Sequence, residues 1–172
     1  MKTLIFCEGK HDGQLLEQLF NLLKLQHYHI FSRKFNLKID VIPEEDIVIK
    51  RFNGEWSPYK FLVKPEGGKD FALLLFSEKI IYCLRNTTKF KSVLFLDADG
   101  KPIENYLKKI EKKLNSGKNP ALYFKHKIIH ETDMCHLYDS EVTIGNQNGG
   151  SFKTLLFKRD LELELDSFGN EK

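Results

Sequence analysis

The sequence predicts an α/β fold in which helices flank both faces of a mostly parallel central sheet. Two observations carry this prediction. Short apolar runs end abruptly in acidic residues and glycine, and segments with helical spacing of apolar residues separate these runs. Unbroken apolar runs are typical of buried parallel strands, and their alternation with helices is typical of parallel sheets whose helices connect successive strands.

Most predicted elements fall within the first 130 residues. Residues 3–7 predict a strand, and a helix follows from about Asp12, which is a plausible N-cap. Residues 47–52 predict another strand, and Asn53-Gly54 is a strong hairpin signal. Residues 59–63 are then either the return strand or a second parallel strand. The remaining predictions are a helix at 69–84, a strand at 93–96, a helix at 103–115 and a strand at 121–129.

The sequence from about residue 131 departs from this alternation. Residues 146–151 are rich in turn-forming residues, and Leu161, Leu163 and Leu165 alternate with charged residues as in an edge strand. We therefore expect a core over residues 1–130 and a β-rich or mixed appendage over residues 131–172, packed on the same domain.

Composition favours a packed globular protein. The chain has 172 residues, of which 41% are hydrophobic and 14 are Phe. Its longest apolar runs are too short to span a bilayer, and Glu8 and Lys10 interrupt the first apolar run, which is unlike a signal peptide. Three widely spaced cysteines do not form a disulfide framework. These features predict a cytoplasmic protein with no membrane partner.

Positive charge is clustered although the net charge is only +3. One cluster comprises Lys108, Lys109, Lys112, Lys113 and Lys118, and a second comprises Lys50, Arg51, Lys60, Lys64 and Lys69. The first is expected to solvate an exposed helix face. The second lies close to a glycine pair and is the better candidate for attracting a polyanion.

Two acidic patterns follow predicted strands. Glu8-Gly9-Lys10-His11-Asp12 follows the first strand, and Asp97-Ala98-Asp99-Gly100 follows the central one. The carboxyl ends of parallel strands meet at the edge where open α/β sheets bind ligands. Converging carboxylates need a cation to remain ionised together, which predicts Mg²⁺, with Mn²⁺ as a possible substitute. The structural alternatives are that Glu8 caps a turn, that Asp97 and Asp99 decorate a loop, and that Asp12 caps the helix.

The two patterns together resemble the Toprim domain, which primases, topoisomerases, OLD-family nucleases, recombination mediators and ribosomal-RNA maturases share. In that family one strand ends in Glu-Gly, often followed by Lys-x-Asp, and a later strand ends in Asp-x-Asp. A third segment, Gly67-Gly68-Lys69-Asp70, resembles the middle loop of small Toprim proteins. The resemblance covers about residues 1–130.

The resemblance implies roles at the matching positions. Asp97 and Asp99 are the expected Mg²⁺ ligands, and Glu8 either binds metal or acts as general base. Asp12 matches a further acidic position of the nuclease and maturase metal sites. Lys10 matches a lysine expected near phosphate, and we count it with Glu8 as catalytic. The expected nucleic-acid-binding residues are Lys10, Gly68 and Lys69.

Two features of the carboxyl-terminal third fit no motif. Nuclease branches of the family use a further acidic residue after the last core strand, and the candidates here are Glu131, Asp133 and Glu141. A zinc site is the other option considered, but the spacings of its potential ligands fit no finger or knuckle, which favours structural roles. Those potential ligands are His126, His130, Cys135 and His136.

Length separates the functions that the resemblance implies. Topoisomerases and primases need further domains that do not fit beside a Toprim core in 172 residues, whereas a hydrolase that uses metal-bound water needs none. We therefore expect a small Mg²⁺-dependent nuclease, with DNA and RNA both open as substrates. The alternative is a nucleic-acid-binding or complex-forming module with little catalysis, accessory to DNA repair, recombination or replication. A third possibility is a subunit active only within a larger repair, replication or RNA-processing assembly.

Overall fold

The computed structural model describes residues 1–31, 49, 51–85, 90–115 and 122–158. Its helices include α1 (Lys10–Leu22), α2 (Lys69–Arg85) and α3 (Ile103–Asn115). Its strands are β1 (Lys2–Cys7), β2 (Tyr28–Ile30), β3 (Phe61–Pro65), β4 (Phe90–Asp97), β5 (Leu122–Glu131), β6 (Cys135–Ile144) and β7 (Gln147–Phe157). No helix in these ranges is long and apolar enough to cross a membrane.

The seven strands form one mixed sheet in the order β2-β3-β1-β4-β7-β6-β5. The four pairings from β2 to β7 are parallel, and the two that add β6 and β5 are antiparallel. The predicted α/β class with a mostly parallel sheet is therefore confirmed. Strands β6 and β7 belong to this same sheet, and β7 lies beside the central strand β4. The carboxyl ends of β1, β3, β4 and β7 consequently meet at one edge.

Strand β1 is apolar from Leu4 to Cys7, and this part of the strand is buried on both sides of the sheet. Leu4 and Phe6 belong to a core cluster that also contains residues of α2 and α3, such as Phe76. Ile5 and Cys7 belong to a second cluster, with Leu16 and Phe20 of α1. Neighbouring side chains of a strand point to opposite sides of a sheet, so one run of apolar residues supplies both clusters.

The predicted strand at residues 47–52 and the hairpin at Asn53-Gly54 are wrong for the described residues. Ile49 and residues 51–53 are helical. Ile49 and Phe52, three residues apart, are both buried in the core, which is helical spacing. The Lys2 ammonium donates hydrogen bonds of 2.6 Å to each of the Phe52 and Gly54 carbonyls, so these oxygens are satisfied outside any ladder.

Strand β3 is the second parallel strand that the sequence left open. It pairs parallel with β1, with Thr3 opposite Phe61, and also parallel with β2. The predicted helix at 103–115 is confirmed with the same bounds, and the predicted helix at 69–84 and the predicted strand at 121–129 are confirmed to within a few residues. The predicted edge strand at Leu161, Leu163 and Leu165 lies outside the described residues.

Helix α1 begins at Lys10, two residues earlier than predicted. Gly9 is its N-cap, and Asp12 lies in the first turn, where its Oδ2 accepts a hydrogen bond of 3.0 Å from the Gly9 N–H. The predicted N-cap position of Asp12 is thus wrong, because Asp12 is the third helical residue; from there its carboxylate forms a capping-box hydrogen bond with the N-cap backbone. Helix α1 also packs closely on β3, because a Cβ at Gly13 would lie only 2.8 Å from Cγ of Pro65.

Candidate functional site

The two acidic motifs meet at the carboxyl edge of the sheet. Glu8 follows β1, Asp97 ends β4, and these strands are neighbours, with Cys7 opposite Phe95. The Asp97 N–H donates a hydrogen bond of 2.7 Å to Oε1 of Glu8. The carboxylate of the first motif therefore bonds directly to the backbone of the second.

The third motif supplies a cation between the carboxylates of the other two. Nζ of Lys69 lies 2.6 Å from Oδ2 of Asp99 and 3.4 Å from Oε1 of Glu8. Because both oxygens contact the same nitrogen, they are at most 6.0 Å apart. Gly68 anchors this loop, since its N–H donates to the Glu8 carbonyl and its φ of +138° is one that glycine tolerates best.

Asp99 lies in a tight left-handed turn. Its φ is +48°, that of Gly100 is +68°, and the Lys101 N–H donates a hydrogen bond of 2.9 Å to the Ala98 carbonyl. A non-glycine residue with positive φ is uncommon and needs support from its surroundings. That support comes from α3, whose Tyr106 hydroxyl donates a hydrogen bond of 3.0 Å to Oδ2 of Asp99.

Tyr106 is a site residue that the sequence analysis missed. Its place in the apolar spacing of α3 indicated a core residue, and its ring is indeed buried. Its hydroxyl nevertheless reaches the site, where it contacts Asp99 and lies 3.4 Å from Nζ of Lys69. The available signal was the hydroxyl itself, because the hydroxyl of a buried tyrosine usually has a hydrogen-bond partner.

The site shifts the ionisation of its carboxylates in opposite directions. The pKa of Glu8 is raised to about 7, chiefly by burial and also by the neighbouring charges of Asp97 and Asp12, against the lowering effects of the Asp97 N–H and Lys69. Burial alone would also raise the pKa of Asp99, but hydrogen bonds from Lys69 and Tyr106 and the charge of Lys69 lower it overall. The same contacts raise the pKa of Lys69 in spite of its burial.

The other predicted site residues lie at different depths. Asp12 is buried and near enough to Glu8 to influence its pKa. Lys10 is exposed at the start of α1. The Gly68 N–H is engaged by Glu8, so this amide is not available to a phosphate. Lys64, from the basic cluster beside the glycine pair, is fully buried against Glu66 at 2.8 Å and cannot contact a polyanion.

The donors at this edge fit a hard divalent cation. Glu8, Asp97 and Asp99 offer the carboxylate oxygens that Mg²⁺ prefers, and a cationic group already lies between two of them. Within the described ranges, however, no three His, Cys, Asp or Glu side chains are arranged to hold a metal ion. Lys69 lies where these carboxylates would converge, so an ion held by Glu8 and Asp99 together would displace its ammonium.

A second polar cluster borders the Asp99 turn. Oε1 of Glu131 lies 2.6 Å from Nε2 of His136 and 3.2 Å from Nζ of Lys158. His136 and Lys158 also line an open cleft of about 380 Å³ together with Gly100. Glu131 therefore lies at the same edge as Asp99, as does Asp133 in the turn after it, whereas Glu141 lies towards the other end of β6, opposite Ser151. The contacts of Glu131 are with His136 and Lys158.

Two of the three histidines considered for zinc have other partners. Nδ1 of His126 lies 2.8 Å from Oγ of Ser140, and Nε2 lies 3.4 Å from Glu111. His136 contacts Glu131 through one ring nitrogen and the Tyr138 hydroxyl, at 3.1 Å, through the other. These contacts hold both rings within the β5–β6 region of the sheet.

Comparisons with protein-family models, curated proteins and solved structures found no match to this chain. The Toprim resemblance stays a prediction based on the three motifs.

The raised pKa of Glu8 predicts a pH-dependent stability of the metal-free protein. A carboxyl group whose pKa is about 7 when folded and 4.5 when unfolded favours folding in its protonated form. Its contribution is fully present below pH 4.5 and is lost as the pH rises to about 7. In EDTA, the melting temperature of Glu8→Gln minus that of the native protein should increase between pH 4.5 and about 7 and should be constant above that range. A difference in melting temperature that does not change with pH would contradict the shifted pKa of Glu8.

Proposed function

We propose that this protein is a Mg²⁺-dependent phosphodiesterase that acts on nucleic acid, built on a Toprim-like core with helices on both faces of the sheet. One observation carries the proposal: the Lys69 ammonium lies between the carboxylates of Glu8 and Asp99, and Glu8 bonds to the backbone of Asp97. An edge that gathers carboxylates around a cation supports binding of a divalent metal beside a phosphate.

Each residue has a role in this proposal. Glu8, Asp97 and Asp99 would hold the ion, which when bound neutralises charge on phosphate oxygens and activates water. Glu8, next to the ion, is also positioned to accept the proton of the attacking water. Tyr106 keeps Asp99 in place through its hydroxyl. Lys69, which contacts the carboxylates of Glu8 and Asp99, would supply positive charge for the substrate phosphate.

The second candidate function is a nucleic-acid-binding or complex-forming module with little catalysis. It is favoured by the observation that no three ligands in the described part of the chain are arranged around a common point. In such a module Lys69 would remain paired with Glu8 and Asp99 as a structural ion pair. The two functions differ in whether metal displaces Lys69 and in whether phosphodiester bonds are broken.

The proposal predicts metal-dependent cleavage by the purified protein. With Mg²⁺ or Mn²⁺ it should cleave DNA or RNA among single-stranded, duplex and structured substrates, and EDTA should stop the reaction. Binding should weaken steeply with salt, because phosphate contacts release counterions. Gel analysis of end-labelled substrates gives the readout. Tight binding without cleavage of any substrate would favour the binding module instead.

Replacing both aspartates of the second motif should weaken metal binding. Asp97→Asn/Asp99→Asn removes two negative ligands, so Mn²⁺ affinity measured by calorimetry should fall by at least about tenfold. The fold should survive because both residues lie at or beyond the end of β4, and Asp99 is exposed. The matched control is Asp70→Asn, an exposed acid at the start of α2. Unchanged Mn²⁺ affinity in the double variant would refute this metal site.

A further inference from the structure

A groove on another part of the surface is built from aromatic rings. It has a volume of about 470 Å³ and lies between the segment of residues 51–59 and strands β2 and β3. Its floor is apolar, since the lining residues Phe52 and Leu62 are buried in the core. This volume is in the range of pockets that bind small organic groups such as a nucleoside.

Three rings with exposed faces or edges line the groove. Trp56, the one tryptophan of the chain, is 96% exposed, and Tyr59 is 38% exposed. Tyr59 stacks on His29 of β2, with ring centroids 5.1 Å apart and an interplanar angle of 30°. Exposing an indole ring to water forgoes the stabilisation that burial would give. Such a ring beside an apolar groove is a surface on which a flat ligand can stack.

The charge around the groove favours flat ligands that carry negative charge. Arg51 lines the groove and is exposed, and none of the described lining residues is acidic. Exposed Lys60 follows directly after the lining residue Tyr59. Exposed Glu55 likewise precedes the lining residue Trp56, so the cations Arg51 and Lys60 outnumber the carboxylates beside the groove. Aromatic rings next to an excess of cations form the combination that binds the bases and phosphates of single strands.

We propose that this groove binds unpaired bases of single-stranded nucleic acid, with bases stacked on both Trp56 and Tyr59 and a backbone phosphate on Arg51. The proposal rests on the proposed function and names its substrate class. In a duplex the faces of the bases are covered by their neighbours, so these rings would have no partner. The groove and the acidic site lie towards opposite ends of β3: Tyr59 precedes its first residue, Phe61, and Glu66 follows its last, Pro65. The five residues of β3 span roughly 17 Å, a distance that a single strand of several nucleotides can bridge.

Trp56 itself is the reporter for the first experiment. Oligothymidylate is titrated into the native protein in EDTA, where no cleavage occurs, and tryptophan emission is recorded. We expect saturable quenching with the single strand and little change with a duplex of equal length. Binding of the single strand seen by anisotropy without any change in tryptophan emission would overturn the proposal.

The second experiment compares variants by anisotropy of labelled oligothymidylate, again in EDTA. Trp56→Ala and Arg51→Ala should each weaken binding by about tenfold. The control is Tyr123→Ala, which removes an aromatic ring that is 65% exposed on β5 and should leave binding unchanged. Equal affinity of the native protein and Trp56→Ala overturns the groove while leaving the proposed function intact. Loss of self-association in Trp56→Ala without a change in affinity would identify a second copy as the occupant and would also overturn it.

The cleavage assay separates the two proposals. If the native protein binds no nucleic acid of any form, the proposed function and the groove both fail. Suppose instead that the native protein cleaves single strands and that Trp56→Ala cleaves them at the same rate at a low substrate concentration. Only the groove proposal then fails. A raised KM with an unchanged kcat in Trp56→Ala supports it, because the ring would act in substrate binding and not at the reacting phosphate.

Discussion

Glu8→Gln is expected to abolish cleavage, with a loss of about a thousandfold or more. Glutamine keeps the size of the side chain, and its amide oxygen can still accept the hydrogen bond from the Asp97 N–H that holds the end of β1 against β4. It cannot accept a proton from water, and it offers a metal no negative charge. The variant thus separates the chemistry of the carboxylate from its structural contact.

Initial rates of native and variant proteins, purified identically, provide the measurement. Glu17→Gln is the matched control, because this glutamate is exposed on α1 and should be dispensable. Activity that persists unchanged in Glu8→Gln would point to a contaminating nuclease or to another site, and the proposed function would then be wrong. Binding of uncleaved substrate should survive in Glu8→Gln, since removing a negative charge does not weaken phosphate contacts.

The meeting of Glu8 and Asp97 was predictable from sequence because it depends on strand ends alone. Two apolar runs ending in acids predict two parallel strands, and parallel strands bring their carboxyl ends to one edge. The position of Lys69 was harder to predict from the sequence. It depends on the sheet order, in which β3 lies next to β1 on the side away from β4, so that the loop after β3 crosses towards Glu8 and Asp99.

The incorrect predictions have a common physical cause: a local sequence pattern does not show which residues from other parts of the chain pack against it. The run at 47–52 is rich in β-branched residues, yet Ile49 and Phe52 are buried at helical spacing. Tyr106 fitted an apolar helix face while its hydroxyl bonds to Asp99. Lys64 resembled a surface cation in the sequence, but its strand is buried, and its partner Glu66 comes just after that strand.

Lys64→Met is expected to destabilise the protein by roughly 3–5 kcal/mol, the usual cost of leaving one member of a buried ion pair without its partner. Lys64 and Glu66 are 0% and 1% exposed, their charged atoms are 2.8 Å apart, and the Lys64 ammonium also lies 5.2 Å from the centre of the Phe6 ring. Methionine keeps most of the volume but leaves the Glu66 carboxylate buried with less compensation. For a chain of this size the melting temperature should fall by roughly 10 °C.

The double variant Lys64→Met/Glu66→Leu tests the cause of that loss. If the penalty comes from an uncompensated charge, removing the second charge should restore much of the stability, because well-packed apolar replacements of buried pairs are often neutral. Lys60→Met, at an exposed position just before β3, is the control and should change little. Denaturant unfolding of the four proteins gives the free energies. A single variant as stable as the native protein would show that the pair does not contribute as its burial indicates, and a double variant less stable than Lys64→Met would assign the loss to packing around Phe6.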